Sequence, residues 1–131
     1  MALLTLTAAA FVFCAQGPRT TCVIDGDTFW LNGEKVRIAD INAPETSGAA
    51  CPAEAAQGEA AKRRLLTLLN AGPFDLIVQG RAQDRYGRLL RTVTRGGRSL
   101  GGVLVAEGLA KPWQGKRGDW CAMLAGSRPS R

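Results

Sequence analysis

Residues 21–45, TCVIDGDTFWLNGEKVRIADINAPE, read as strand, turn, strand, hairpin, strand. Thr20 to Ile24 and Thr28 to Leu31 are β-favouring runs with Asp25-Gly26 between them. Asn32-Gly33 is the strongest two-residue hairpin signal, and it leads into a third strand, Lys35 to Ile41. Alternation along that strand places Val36, Ile38 and Asp40 on one face, with Arg37, Ala39 and Ile41 on the other. Arg37 should therefore point away from Val36 and Ile38. Pro44 ends the strand.

Beyond a small-residue loop, Glu54 to Asn70 reads as an alanine-rich helix with Leu65, Leu66, Leu68 and Leu69 near its end. Asn70-Ala71-Gly72-Pro73 stops it. Phe74 to Gln79 and Leu89 to Thr94 are strands four and five. Ser99 can cap a short second helix to Glu107, with Gly108 just past its end. Cys121 to Ala125 fits one further turn. Six arginines between Arg81 and Arg98 recur at helical spacing, but Tyr86-Gly87 and Gly96-Gly97 break a helix, so a basic loop and strand are expected. The predicted class is α+β and β-rich. Five strands, a helix between the third and fourth and a short helix after the fifth follow the order of an OB-fold barrel, an architecture that binds nucleic acids and oligosaccharides.

The 131-residue length suits one domain with a modest core, taken as 18–131. The formal charge is +6, and 13 of the 17 basic residues are arginine, whose planar fork matches phosphate. Solubility alone is the plain alternative for such a charge. Histidine is absent, which excludes Ser-His-Asp and Cys-His catalysis, histidine-ligated zinc and histidine general bases. Carboxylates, a thiol or a lysine are left for proton transfer. Against this basic background, Asp25, Asp27, Asp40, Asn42 and Glu45 gather close to Arg37. Such oxygen donors suit a hard cation, and a cation beside an arginine points to phosphate chemistry.

Residues 2–15 are an uncharged apolar run, too short to span a bilayer comfortably. Residues 1–17 are read as a secretory signal-like segment with Ala15-Gln16-Gly17 as the cleavage site, although no basic residue precedes the run. A buried first strand or helix is the alternative. Export would place the protein in a secreted or periplasmic setting. The four cysteines, Cys14, Cys22, Cys51 and Cys121, fit no CxxC zinc or redox spacing. Cys51 with Cys121 is the preferred bridge, and closing so long a loop stabilises by about 4 kcal/mol in the entropic account. Cys22 with either partner is the alternative.

Four motifs in order resemble those of the staphylococcal-nuclease-like, or thermonuclease, family. They are Asp25-Gly26-Asp27-Thr28; Arg37 followed by Ala43-Pro44-Glu45; Asp84-Arg85-Tyr86-Gly87-Arg88; and Gly108-Leu109-Ala110 after the second helix. The resemblance implies an OB-fold endonuclease that cleaves phosphodiester bonds in DNA and RNA with Ca²⁺. It implies Asp27 as a carboxylate ligand of the metal, Asn42 where the family usually has a second aspartate, and Ala43 offering its backbone carbonyl. Glu45 would orient or deprotonate the attacking water. Arg37 and Arg88 would hold the phosphate and neutralise its developing charge. Asp25 and Asp84 would lie close by, and Asp40 could supply part of the field that Asn42 lacks. Tyr86 and Trp113 are candidates for contact with the substrate; Trp113 or Trp120 could stack a base, with covering the core as the plainer reading of either.

Each residue also has a plainer reading. Arg37 can be a salt bridge to Asp40 or Glu45, Arg88 one solvated charge among six, and Asp25 and Asp27 turn formers. The chain as a whole has an alternative too, an OB-type module that binds nucleic acid with weakened catalysis, for which Asn42 would be the trace. A monomer with no membrane span after processing is expected.

Overall fold

A computed structural model describes residues 10–15 and 17–126. Its sheet grows from the stretch quoted above. After β1 (Val12–Phe13) come β2 (Cys22–Asp25), β3 (Thr28–Leu31) and β4 (Glu34–Ile38). β2, β3 and β4 form an antiparallel meander. Asn32 and Gly33 both take positive φ, 51° and 84°, the combination a type I′ hairpin requires. The register of β2 on β3 shifts between Val23 and Asp25. That bulge re-aims the carboxylates that follow it.

The third predicted strand is not continuous. β4 stops at Ile38, and Ile41–Asn42 forms a separate β5 that pairs antiparallel with β9 (Lys111–Pro112). The cause lies in Arg37, whose Nη1 donates to the carbonyls of both Ile38 and Ile41, so the chain curls around its own guanidinium. Alternation is reset there, and Ile41 enters the core with Val36 and Ile38.

α1 (Pro52–Asn70) opens with proline in its first turn, where the missing N–H costs nothing. β6 (Asp75–Ile77), β7 (Leu89–Arg95) and β8 (Arg98–Ser99) follow. Ser99 caps α2 (Leu100–Ala106) by accepting from the Gly102 N–H, and α3 (Trp120–Gly126) comes last. Hydrogen-bonded neighbours run β1-β2-β3-β4-β7-β6, with β8 on β7. β4 and β7 are parallel, β7 and β6 antiparallel. The architecture is α+β and OB-like, with the predicted order of five strands and two helices; among the described residues no ladder joins β6 back to β1.

Val23, Phe29, Val36 and Ile38 meet Ala61, Leu65 and Leu69 of α1 and Leu104 of α2 in one core. Phe11 joins it edge-on to Phe29, with ring centroids 5.7 Å apart. The apolar run ending at residue 15 thus supplies, within residues 10–15, a strand that the sheet uses; residues 1–9 and Gln16 lie outside the described residues. Cys14 pairs with Cys22 and Cys51 with Cys121. Among the described residues no helix is long and apolar enough to cross a membrane.

Candidate active site

The Asp25-Gly26-Asp27-Thr28 turn is pressed between α1 and Ala43, the residue that follows β5. A Cβ at Gly26 would lie 2.6 Å from the Ala61 Cβ and 2.9 Å from the Ala43 Cβ, so only glycine allows the approach. The approach lets Asp27 reach Ala43. Its Oδ2 accepts from the Ala43 N–H at 2.9 Å and faces Arg37 Nη2 at 3.5 Å, while Oδ1 accepts from Thr28 Oγ1 at 3.0 Å. Arg37 is 8 % exposed. Burial lowers the pKa of its guanidinium, Asp27 opposes that, and the Arg88 and Arg117 cations add to the lowering. Its partner is therefore Asp27, not Asp40 or Glu45.

Asp25 accepts from Thr46 Oγ1 at 2.9 Å. Burial raises its carboxyl above the usual range, and the Asp27 charge adds to that against the Thr46 bond. Glu45 is held by its backbone. Its N–H donates to Glu54 Oε2 at 3.0 Å, and Gly58 of α1 sits so close that a Cβ there would stand 2.3 Å from the Glu45 carbonyl oxygen. Its side chain meets Arg117, Nη1 to Oε2 at 2.7 Å. Burial raises the Glu45 carboxyl; Arg117 pulls it down, and Asp25, Asp27 and Glu54 push it up.

Arg88 is fixed by the loop before β7. Asp84 Oδ1 accepts from the N–H groups of Tyr86 and Arg88, both at 2.9 Å, and Oδ2 accepts from Arg88 Nε at 2.5 Å. Burial opposes the Asp84 charge, but these bonds outweigh it and hold the carboxyl below its usual range. Gly87, at φ 85°, makes the turn possible. Tyr86 is 73 % exposed, with Arg85 and Arg88 guanidinium carbons 5.3 and 5.9 Å from its ring centroid. Trp113, 41 % exposed, lies over Arg37 at 5.3 Å.

Asp25, Asp27, Arg37, Glu45 and Arg88 line one cleft of about 340 Å³, together with Trp113 and Arg117. A second groove of about 330 Å³ shares Arg37, Arg88 and Trp113 and continues past Asp84 to Arg81 and Gln79. Two predicted site residues turn elsewhere. Asn42 Oδ1 accepts from Trp120 Nε1 at 3.0 Å and from the Gly118 N–H at 3.4 Å, while its Nδ2 is buried without a partner among the described residues. Asp40 accepts from Ser99 Oγ at 2.7 Å and packs against Gly101 at the start of α2.

Sequence reading missed Arg117, Thr46, Glu54 and Gly58. A signal for Arg117 existed. It lies four residues before Cys121, and the expected Cys51–Cys121 bridge ends six residues after Glu45.

The donor set suits a hard cation. Asp25, Asp27 and Glu45 line one cleft; burial raises the carboxyls of Asp25 and Glu45 and their acidic neighbours add to it, a repulsion a divalent ion would relieve. Among the described residues no three Asp, Glu or Cys side chains close into a ready-made metal cage. Calcium accepts that, because water and substrate oxygens can complete its flexible shell.

A family model described as staphylococcal nuclease homologue matches residues 35–119, which hold Arg37, Glu45, Arg88 and Arg117. Endonuclease YncB of Bacillus subtilis (strain 168) is 40 % identical over 95 residues, 67 % of this chain and 44 % of that protein. The SPbeta prophage-derived endonuclease YokF of the same organism is 38 % identical over 95 residues, 67 % of this chain and 31 % of that protein. The chain spans less than half the length of these curated relatives.

Proposed function

Because the chain belongs to the staphylococcal nuclease homologue family, we propose that it is an endonuclease hydrolysing phosphodiester bonds in DNA and RNA, with Ca²⁺ as cofactor and little sequence preference. The observation that carries this reading is the meeting of Asp27, Glu45, Arg37 and Arg88 in one cleft. Hydrolysis joins a water oxygen to phosphorus and breaks the bond to the leaving oxygen. Glu45 takes the proton the water gives up, and the leaving oxygen acquires one from solvent. Arg37 and Arg88 make charge-assisted bonds to the phosphate and stabilise the charge that grows on it. Both arrive preorganised, Arg37 by two carbonyls and Asp27, Arg88 by Asp84.

Asp27 would hold the calcium, with the Ala43 carbonyl as a further ligand and Asp25 close by, and Asn42 would join only by giving up its Trp120 bond; bound there, the ion would polarise a phosphoryl oxygen and order water. Tyr86 and Trp113, both exposed beside guanidinium groups, suit bases of a single strand. The Cys51–Cys121 disulfide, which lies outside the signal-like segment, supports export to an oxidising setting, secreted or periplasmic. A monomer is part of the same reading.

Asn42 favours a second reading, a binding module with weakened catalysis. Its amide carries no charge, and its oxygen already has Trp120 and Gly118 as donors. Cleavage of single-stranded DNA in Ca²⁺ and then in chelator separates the two. The nuclease reading expects cleavage that chelator abolishes; binding without cleavage, insensitive to chelator, selects the module. Ligand charge tunes calcium affinity, so Asn42→Asp is expected to tighten calcium binding by about tenfold, read by calcium titration. An unchanged titration makes Asn42 an anchor for Trp120 and no ligand.

A further inference from the structure

Residues 113–119 connect β9 to α3 and are fastened at both ends. β9 is paired to β5, and the Trp113 N–H donates to the Asp40 carbonyl at 2.9 Å. At the far end Trp120 is buried on Asn42, and Cys121 is bridged to Cys51 with Cα atoms 6.1 Å apart. This strap carries Arg117 into the cleft, where it spans two acids. Nη1 meets Glu45 Oε2 at 2.7 Å, and Nη2 lies 3.8 Å from Glu54 Oε2. Glu54 is also the acceptor for the Glu45 N–H. One guanidinium therefore ties the Glu45 side chain to the carboxylate that already fixes its backbone.

Stability does not account for the contact. The Arg117 and Glu45 side chains are 45 % and 32 % exposed, and pairs so open to water add little to folding. What the contact does is restrict the Glu45 rotamer.

We propose that Arg117 is a positioning residue, holding the Glu45 carboxylate toward the attacking water, and that the Cys51–Cys121 bridge holds the strap that presents it. The proposal rests on the nuclease reading above.

Steady-state cleavage of single-stranded DNA in Ca²⁺ tests it, with thermal melts alongside. Arg117→Ala is expected to lower kcat about 10–100-fold through misalignment, with KM and melting temperature unchanged. Arg117→Lys should recover part of the loss. Joint replacement Cys51→Ser and Cys121→Ser should also lower kcat, and adding Arg117→Ala should bring no further loss, because both act through one carboxylate. Wild-type kcat in Arg117→Ala overturns the proposal and leaves the nuclease reading standing. A raised KM with kcat intact also overturns it, by making Arg117 a phosphate contact. If the wild-type protein does not cleave, the nuclease reading fails and this proposal falls with it.

Discussion

Arg37→Ala is expected to lower kcat for DNA cleavage about 10²–10³-fold, the usual effect of deleting a preorganised group that stabilises transition-state charge. The same change should destabilise the fold by about 3 kcal/mol, because it strips a buried ion pair of one partner. Asp27 would keep Ala43 and Thr28 as donors but lose its cation. The carbonyls of Ile38 and Ile41 would lose the donor around which the chain turns between β4 and β5. Arg37→Lys isolates the geometry. It keeps the charge, but one ammonium cannot reproduce the fork that spans Asp27 and two carbonyls. Urea unfolding and kcat measured on the same samples separate the two effects. An alanine variant that cleaves at the wild-type rate would remove Arg37 from the chemistry.

Local chemistry was legible in the sequence. Asn32-Gly33 specifies its hairpin through two positive φ values, Ser99 caps its helix, and the leucines of α1 face the core where periodicity puts them. The residue types at positions 27, 37, 45 and 88 announce phosphate chemistry, and the fold gathers them in one cleft. What the sequence hid is long-range or depends on exceptions to a period. Alternation assumes an unbroken strand, so the curl around Arg37 moved Ile41 into the core and sent Asp40 to α2. Residues 12–13 carry an apolar pattern that export and a sheet edge share; in the structure they pair in parallel with β2. Arg117 is 72 residues from Glu45 and belongs to no motif; the Cys51–Cys121 bridge and the Trp120–Asn42 bond bring it in. Gly58 carried no signal of its own in the sequence. It is the opening through which α1 meets the Glu45 backbone.

Glu45→Gln is the other substitution expected to matter most. Glutamine keeps the shape of the side chain and an oxygen for Arg117, and it leaves the Glu54 bond to the backbone untouched. The negative charge is lost, and with it the capacity to accept a proton. Removing a positioned general base costs about 10²–10⁴ in rate. Stability should stay within about 0.5 kcal/mol, as for a surface change that breaks no buried network. This separation of rate from folding is what makes the variant decisive for the claim that a carboxylate, two guanidinium groups and a calcium-binding aspartate act on one phosphodiester. The measurement is single-turnover cleavage of single-stranded DNA at saturating Ca²⁺, wild type beside Glu45→Gln, with both melts recorded. The account predicts cleavage by the wild type that chelator abolishes, and a glutamine variant slower by about 10²–10⁴ at an unchanged melting temperature. A glutamine variant that cleaves as fast as the wild type would contradict it.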